Sequence, residues 1–171
     1  MAGTTTNNSW DYPTDTDLVT NGALAIQTLA DEIDTSVGAG LKAWATYAPT
    51  LSGGWANGNG TYTLARYALL GKLVFFAVDF NIGSTTTKGT TLTMSLPVAT
   101  SSTTTLSNLR GVAVIGGTAY DLTWFGASTT TISAAALNVG GTYATRAGIT
   151  SAIPGTWATN DNFRVQGFYQ A

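Results

Sequence analysis

Two hydrophobic periodicities divide the chain into a helical stretch near its N-terminus and a long region of alternating strands. Between residues 19 and 33, apolar residues recur at spacings of three and four, which is typical of one face of an α-helix. From residue 60 onward, apolar and polar residues alternate, and turns rich in glycine or threonine separate the alternating runs. The pattern predicts one helix followed by an all-β region.

The helix is predicted to run from about residue 16 to residue 37, between a capping Asp15 or Thr16 and the glycines that begin at Gly38. Two interpretations stay open for it: a short parallel self-association helix, or an amphipathic helix that lies on its own β region. The heptad rule, with Ile at a and Leu at d, favours a dimer. The a and d positions form the predicted contact seam of the helix. Gly22 occupies one d position, and the other members of the seam are the candidate oligomerisation residues Val19, Ile26, Leu29 and Ile33.

The clearest strand signal lies between residues 72 and 83, which follow a predicted hairpin turn at Gly71. Apolar residues at 74, 76, 78, 80 and 82 share one face there, while Asp79 and Asn81 share the other. Seven or eight short strands are predicted in all, with no helix among them. We therefore expect a mainly β protein with an antiparallel, jelly-roll-like β-sandwich. The further candidate strands are Gly60–Leu70, Thr90–Leu96, Leu109–Ile115, Thr118–Phe125, Thr130–Val139 and Asn162–Gln170.

The first residues of the chain form a polar lead that carries two large aromatic residues. Pro13 disfavours helix at Tyr12 and favours an extended backbone. An extended segment with exposed rings is suited to docking in a partner's groove, so Trp10, Tyr12 and Pro13 are candidate anchor residues; a disordered tail is the alternative. The predicted domains are an anchor at 1–15, a helical stem at 16–40 and a β head at 41–171.

Composition removes several classes of chemistry. The chain has no Cys and no His, which excludes disulfides, zinc-thiolate sites and Ser-His-Asp triads. Thr and Ser make up 43 of 171 residues, which favours strands, and only 9% of residues are charged. Residues 1–41 carry a formal charge of −6 and the rest +4, with the basic residues too dispersed for nucleic-acid binding. No signal peptide or membrane-spanning segment is predicted.

Acidic and aromatic residues are the remaining candidates for a functional site. The β region offers only Asp79, Asp121 and Asp161 as carboxylates for acid–base chemistry or metal binding. We expect no enzyme activity, no metal and no cofactor. Trp55 and Trp157 lie in loops rich in glycine and threonine, so they are the candidate residues for stacking on a host glycan.

Seven short segments of the chain form a recognisable set of motifs. They are YPTDTDLVTNGA at residues 12–23, IQTLAD at 26–31, YAPTL at 47–51, GNGT at 58–61, RY at 66–67, GKLV at 71–74 and SLPV at 95–98. With these motifs the chain resembles small actinobacteriophage virion proteins of the minor tail, tail-fibre or head-fibre type. The resemblance covers nearly the whole chain and rests on structural motifs. It implies a homotrimer with a helical stem and a β-sandwich head.

The combined expectation is a phage virion structural protein that is made in the host cytoplasm and released by lysis. The expected partners are further copies of the chain, other virion proteins of the capsid or tail, and a host-surface polysaccharide. A capsid decoration protein that coats or stabilises the particle is the alternative, and a polysaccharide-degrading enzyme is a second one.

Overall fold

The structure is a computed structural model that describes residues 3–6, 9–12, 14, 19–40, 43–106, 109–139 and 144–171. The chain forms two compact units, Met1–Lys42 and Ala43–Ala171. Strands account for 47% of the structure and the single helix for 15%. The prediction of a mainly β protein with one helix is confirmed.

The first unit contains a small hairpin and the helix. Strands β1 (Gly3–Thr4) and β2 (Asp11–Tyr12) pair in antiparallel register, and helix α1 spans Val19–Gly40. The predicted caps, Asp15 and Thr16, lie outside the described residues. The predicted end at residue 37 is three residues short, because the helix continues through Gly38 instead of stopping there; glycine weakens a helix interior without forbidding it.

The second unit contains ten strands and one short 3₁₀ turn at Thr103–Leu106. Seven of the strands match runs predicted from alternation, and two predicted ranges, Leu109–Ile115 and Asn162–Gln170, agree at both ends. The strands are β3 (Ala45–Thr46), β4 (Leu51–Ser52), β5 (Thr61–Leu70), β6 (Leu73–Asn81), β7 (Thr93–Ser95), β8 (Leu109–Ile115), β9 (Thr118–Gly126), β10 (Thr131–Asn138), β11 (Thr145–Gly148) and β12 (Asn162–Gln170).

All ten strands belong to one antiparallel sheet in the order β3-β5-β6-β12-β8-β9-β10-β7-β4, with β11 paired to β10. The sheet curls into a half-barrel. The expected division into the two sheets of a sandwich is not confirmed, because the β10–β7 and β7–β4 ladders keep the sheet continuous. The C-terminal strand β12 lies near the middle of the sheet, between β6 and β8.

The hydrophobic core lies on the inner face of the curled sheet. The predicted apolar face of β6 is confirmed. Its side chains, Val74, Phe76, Val78 and Phe80, and the following Ile82 are at most 2% exposed. Rings from neighbouring strands meet there, as in the pairs Phe76–Tyr169 and Trp124–Phe163. Alternation therefore buries one face of each central strand and presents the other face to solvent. No helix among the described residues is long and apolar enough to cross a membrane.

Candidate functional site

The outer face of the sheet, opposite the core, brings side chains from four adjacent strands into one row, and three of these four side chains are charged. Asp79 of β6 pairs in register with Arg164 of β12, Arg164 with Val112 of β8, and Val112 with Asp121 of β9. A second row, two residues further along, places Gln166 beside Arg110. Because register partners point to the same side of a sheet, these side chains share one surface.

These rows line a groove of about 520 Å³, which we call the outer groove. At its floor, Nε of Arg164 lies 3.0 Å from Oδ2 of Asp79. The other carboxylate oxygen of Asp79, Oδ1, is buried and has no hydrogen-bond partner among the described residues. The side chains of Arg110, Asp121 and Gln166 are exposed beside this pair. The outer groove thus presents both donors and acceptors that are free to bind a polar ligand.

An exposed pair of aromatic rings lies on the same face, one row beyond Gln166. Phe75 of β6 and Phe168 of β12 are register partners whose ring centroids lie 5.9 Å apart. Phe168 is 61% exposed and Phe75 is 36% exposed. We call these residues the aromatic pair. The two rings form an apolar patch on a strand surface that faces solvent. Polar residues at these two positions would have avoided such a patch.

A third exposed ring flanks the aromatic pair at the β3 side of the sheet. Trp44 precedes β3 and is 51% exposed. The guanidinium carbon of Arg66 lies 4.8 Å from the centroid of the Trp44 ring, within the range of a cation–π contact. The strand register places Arg66 beside Ala77 and Ala68 beside Phe75. The row that contains Gln166 therefore continues onto β5 at Arg66, whereas Ala68 occupies the β5 position beside the aromatic pair.

The structure does not support the predicted glycan contacts at Trp55 and Trp157. Both side chains are in the core, at 2% and 4% exposure, with their rings edge to face at 5.5 Å. The indole Nε1 of Trp157 donates to the carbonyl oxygens of Thr150 and Ile153, at 3.0 and 3.2 Å. The loops that carry these residues fold over the open side of the half-barrel, so their large apolar side chains complete the core.

The predicted oligomerisation residues of α1 differ in exposure. Ile26 and Ile33 are 61% and 38% exposed, whereas Leu29 is half-buried. The side chain of Val19 is outside the described ones. At 100° per residue, Ala30 and Val37 fall on the same side as Ile26 and Ile33, and Val37 is 47% exposed. We call this exposed row, Ile26, Ala30, Ile33 and Val37, the helix stripe.

The half-buried side of α1 is covered in part by the N-terminal hairpin. Nε1 of Trp10 donates to Oγ of Ser36 at 3.1 Å, and the backbone N–H of Asp11 donates to Oε2 of Glu32 at 2.7 Å. The candidate anchor residues thus separate: Trp10 is half-buried, Tyr12 is 40% exposed, and Pro13 lies outside the described residues. The heptad pattern alone contained no sign that the hairpin would occupy the d side of the seam.

The three carboxylates of the β unit have different environments. Asp161 is buried, and its two oxygens accept hydrogen bonds from the backbone N–H groups of Gly116 and Ala158, at 2.9 and 2.6 Å. This arrangement fixes the β8–β9 turn and uses the carboxylate for structure. Asp79 and Asp121 both line the outer groove. The described residues contain no group of three or more acidic side chains close enough to hold a metal ion.

Comparison of the chain with protein-family models, with curated proteins and with solved structures finds no match. Three exposed surfaces of the molecule remain as candidate functional sites: the helix stripe, the outer groove and the aromatic pair.

Proposed function

We propose that the protein is a non-enzymatic structural protein of a bacteriophage virion, a homotrimer of the fibre or minor tail type. Helix α1 forms its short stem, the curled sheet forms a jelly-roll-like head, and the head adheres to the host surface. The N-terminal segment contacts other virion proteins of the capsid or tail. The protein is made in the host cytoplasm and leaves the cell in the particle at lysis.

The observation that carries the proposal is the helix stripe. A helix whose Ile26, Ile33 and Val37 side chains are all more than a third exposed has apolar surface that self-association would bury. Parallel helices can bury such a stripe symmetrically, since each copy presents the same residues to its neighbours. Two small residues, Ala30 in the stripe and Ala23 beside it, leave room for a third helix to approach.

The test is the oligomeric mass of the full chain and of two matched variants. We expect native mass spectrometry to give a trimer for the unmodified chain and a monomer for the double variant Ile26→Asp, Ile33→Asp. Leu24→Asp is the control: Leu24 is 66% exposed, but it lies about 160° around the helix from Ile26, so this variant stays trimeric. The far-ultraviolet circular dichroism of the β head is expected to be the same in all three proteins.

A monomeric unmodified chain would contradict the stem, as would a double variant that stays trimeric. The position of the protein in the particle separates the fibre from the decoration alternative. Electron microscopy with an antibody against the head is expected to label the tail or a projecting fibre; regular labelling across the capsid lattice would replace the fibre proposal with a decoration role.

A further inference from the structure

The outer groove and the aromatic pair form one surface on the central strands of the sheet. Their residues lie on β5, β6, β12, β8 and β9, each of which has a partner strand on both sides. The backbone of such strands is in place before any ligand arrives, which lowers the entropy cost of binding. From Leu64 on β5 to Asp121 on β9 the groove crosses four strand spacings, about 19 Å in total.

We propose that this surface binds a polysaccharide chain, with the sugar rings stacked on the aromatic pair and their hydroxyl groups bound in the outer groove. The proposal rests on the adhesive role of the head and gives that role a site other than Trp55 and Trp157. A sugar ring has an apolar face of C–H groups and a rim of hydroxyls. It therefore matches a surface where aromatic faces adjoin charged and amide side chains.

The polar chemistry of the groove favours hydroxyl groups over other ligands. A hydroxyl can donate to a carboxylate and accept from a guanidinium at the same time, and Asp79 and Arg164 present these two groups 3.0 Å apart. The exposed side chains of Arg110, Asp121 and Gln166 supply further donors and acceptors beside this ion pair. The five-strand groove is longer than one ring, which favours a chain over a single sugar.

Charge and composition argue against a nucleic acid and against a protein as the ligand of this surface. Arg66, Arg110 and Arg164 are offset by Asp79 and Asp121, so the face lacks the concentrated positive charge that nucleic-acid phosphates require. The centre of a protein interface is depleted in charged residues, whereas the centre of this groove is an ion pair. The volume of about 520 Å³ lies within the range of about 300–1,000 Å³ that is typical of pockets for small molecules.

Affinity electrophoresis of the full chain tests the proposal. Native gels are cast with one soluble polysaccharide at a time: glycogen, laminarin, a galactomannan, or alginate as a polyuronate. We expect at least one of them to retard the unmodified protein, and Phe168→Ala to weaken that binding about tenfold or more. Because the Phe168 side chain is 61% exposed, its removal leaves the core intact. Arg164→Gln is expected to weaken binding as well.

Tyr12→Ala is the matched control, since Tyr12 is an exposed ring in the other unit of the chain and its loss leaves retardation unchanged. The proposal is overturned if no polysaccharide retards the unmodified protein, or if Phe168→Ala binds as well as the unmodified protein. It is also overturned if Phe168→Ala lowers the oligomeric mass, because the surface would then be an interface between copies.

The experiments distinguish a failure of the polysaccharide-binding proposal from a failure of the proposed trimeric stem. A monomeric protein that is still retarded retains the binding surface without the trimer, and a trimer that no gel retards has the stem without the binding surface. The double variant Ile26→Asp, Ile33→Asp is expected to keep its retardation by the same polysaccharide, with weaker apparent binding only to the extent that three heads no longer act together.

Discussion

Gly111 leaves no room for a side chain at the centre of the sheet. A Cβ at this position on β8 would contact the backbone carbonyl oxygen of Arg164 and would lie 2.6 Å from Nε1 of Trp124. Trp124 is fully buried, so the ring can move only by displacing the core. We expect Gly111→Ala to lower the free energy of unfolding by about 1–3 kcal/mol, the usual cost of overpacking, measured by urea denaturation followed by circular dichroism.

Gly148 on β11 provides the control for this substitution. A Cβ there meets no atom within 4 Å, so Gly148→Ala is expected to change the free energy of unfolding by less than about 0.5 kcal/mol. Equal losses in both variants would show that the close approach at Gly111 has no energetic consequence.

Single residues also show where inference from the sequence failed. The loop positions of Trp55 and Trp157 favoured exposure, but a half-barrel has an open side that must be covered, and these rings cover it. Phe75 and Phe168 gave a usable signal that was missed: each lies out of phase with the buried residues of its strand. Their contact could not be inferred, because it depends on the pairing of β6 with β12, which the chain separates widely.

The hairpin and the helix of the first unit depend on each other. A two-stranded ribbon with two-residue strands is only marginally stable in water. Here it is held by the hydrogen bonds that Trp10 and Asp11 donate to side chains of α1. We expect Trp10→Phe, which removes the indole N–H, to accelerate hydrogen exchange of the Thr5 amide about two- to tenfold. This matches the about 0.5–1.5 kcal/mol of a hydrogen bond; Thr5 N donates to Trp10 O across the hairpin, at 2.9 Å.

Tyr12→Phe is the control for that measurement, because the exposed Tyr12 side chain makes no hydrogen bond among the described residues. Its exchange profile is expected to match that of the unmodified chain. If Trp10→Phe also left the exchange of Thr5 unchanged, the Trp10–Ser36 contact would not hold the hairpin in place.

At the level of elements, the sequence was informative wherever one face is buried and uninformative where elements are short. Strict alternation identified β6, and Gly71, at φ +58°, marked its hairpin. Strands β3, β4 and β11 were missed because two to four residues carry too little periodicity. The heptad seam predicted a helix correctly, but its a and d positions proved unequal, since the hairpin contacts only one side.

The burial of three tyrosines is expected to make the folded protein less stable at alkaline pH. Burial raises the pKa of Tyr62 and of Tyr169 to about 12, and raises the pKa of Tyr47 further above its ordinary value of 10. Above about pH 10 the unfolded chain releases these protons while the folded chain keeps them, so the free energy of unfolding falls as the pH rises to about 12. We expect Tm, followed by circular dichroism, to be insensitive to these tyrosines below about pH 9 and to drop steeply above about pH 10.

Tyr47→Phe is the most informative variant for this prediction. The Tyr47 hydroxyl is buried and makes no hydrogen bond within the described part of the chain, so its removal relieves a desolvated polar group and is expected to raise the free energy of unfolding at pH 7 by up to about 1 kcal/mol. The same variant has one ionisable group fewer, which makes the alkaline drop shallower. If the free energy of unfolding of this variant fell with pH as steeply as that of the unmodified protein, Tyr47 would not contribute to the loss of stability above about pH 10.

The continuous sheet of the head has two ends that no strand closes, and the way those ends are built affects colloidal behaviour. The last strands, β3 and β4, each have two residues, and β5 beside β3 contains a bulge between Tyr62 and Leu64. Short strands at these borders, with β11 at the side of β10, offer few successive N–H and C=O groups, and the bulge disturbs the ladder along β5, so extension of the sheet by another molecule is disfavoured. In the proposed trimer, such borders would keep neighbouring heads separate and would oppose their fusion into fibrillar aggregates.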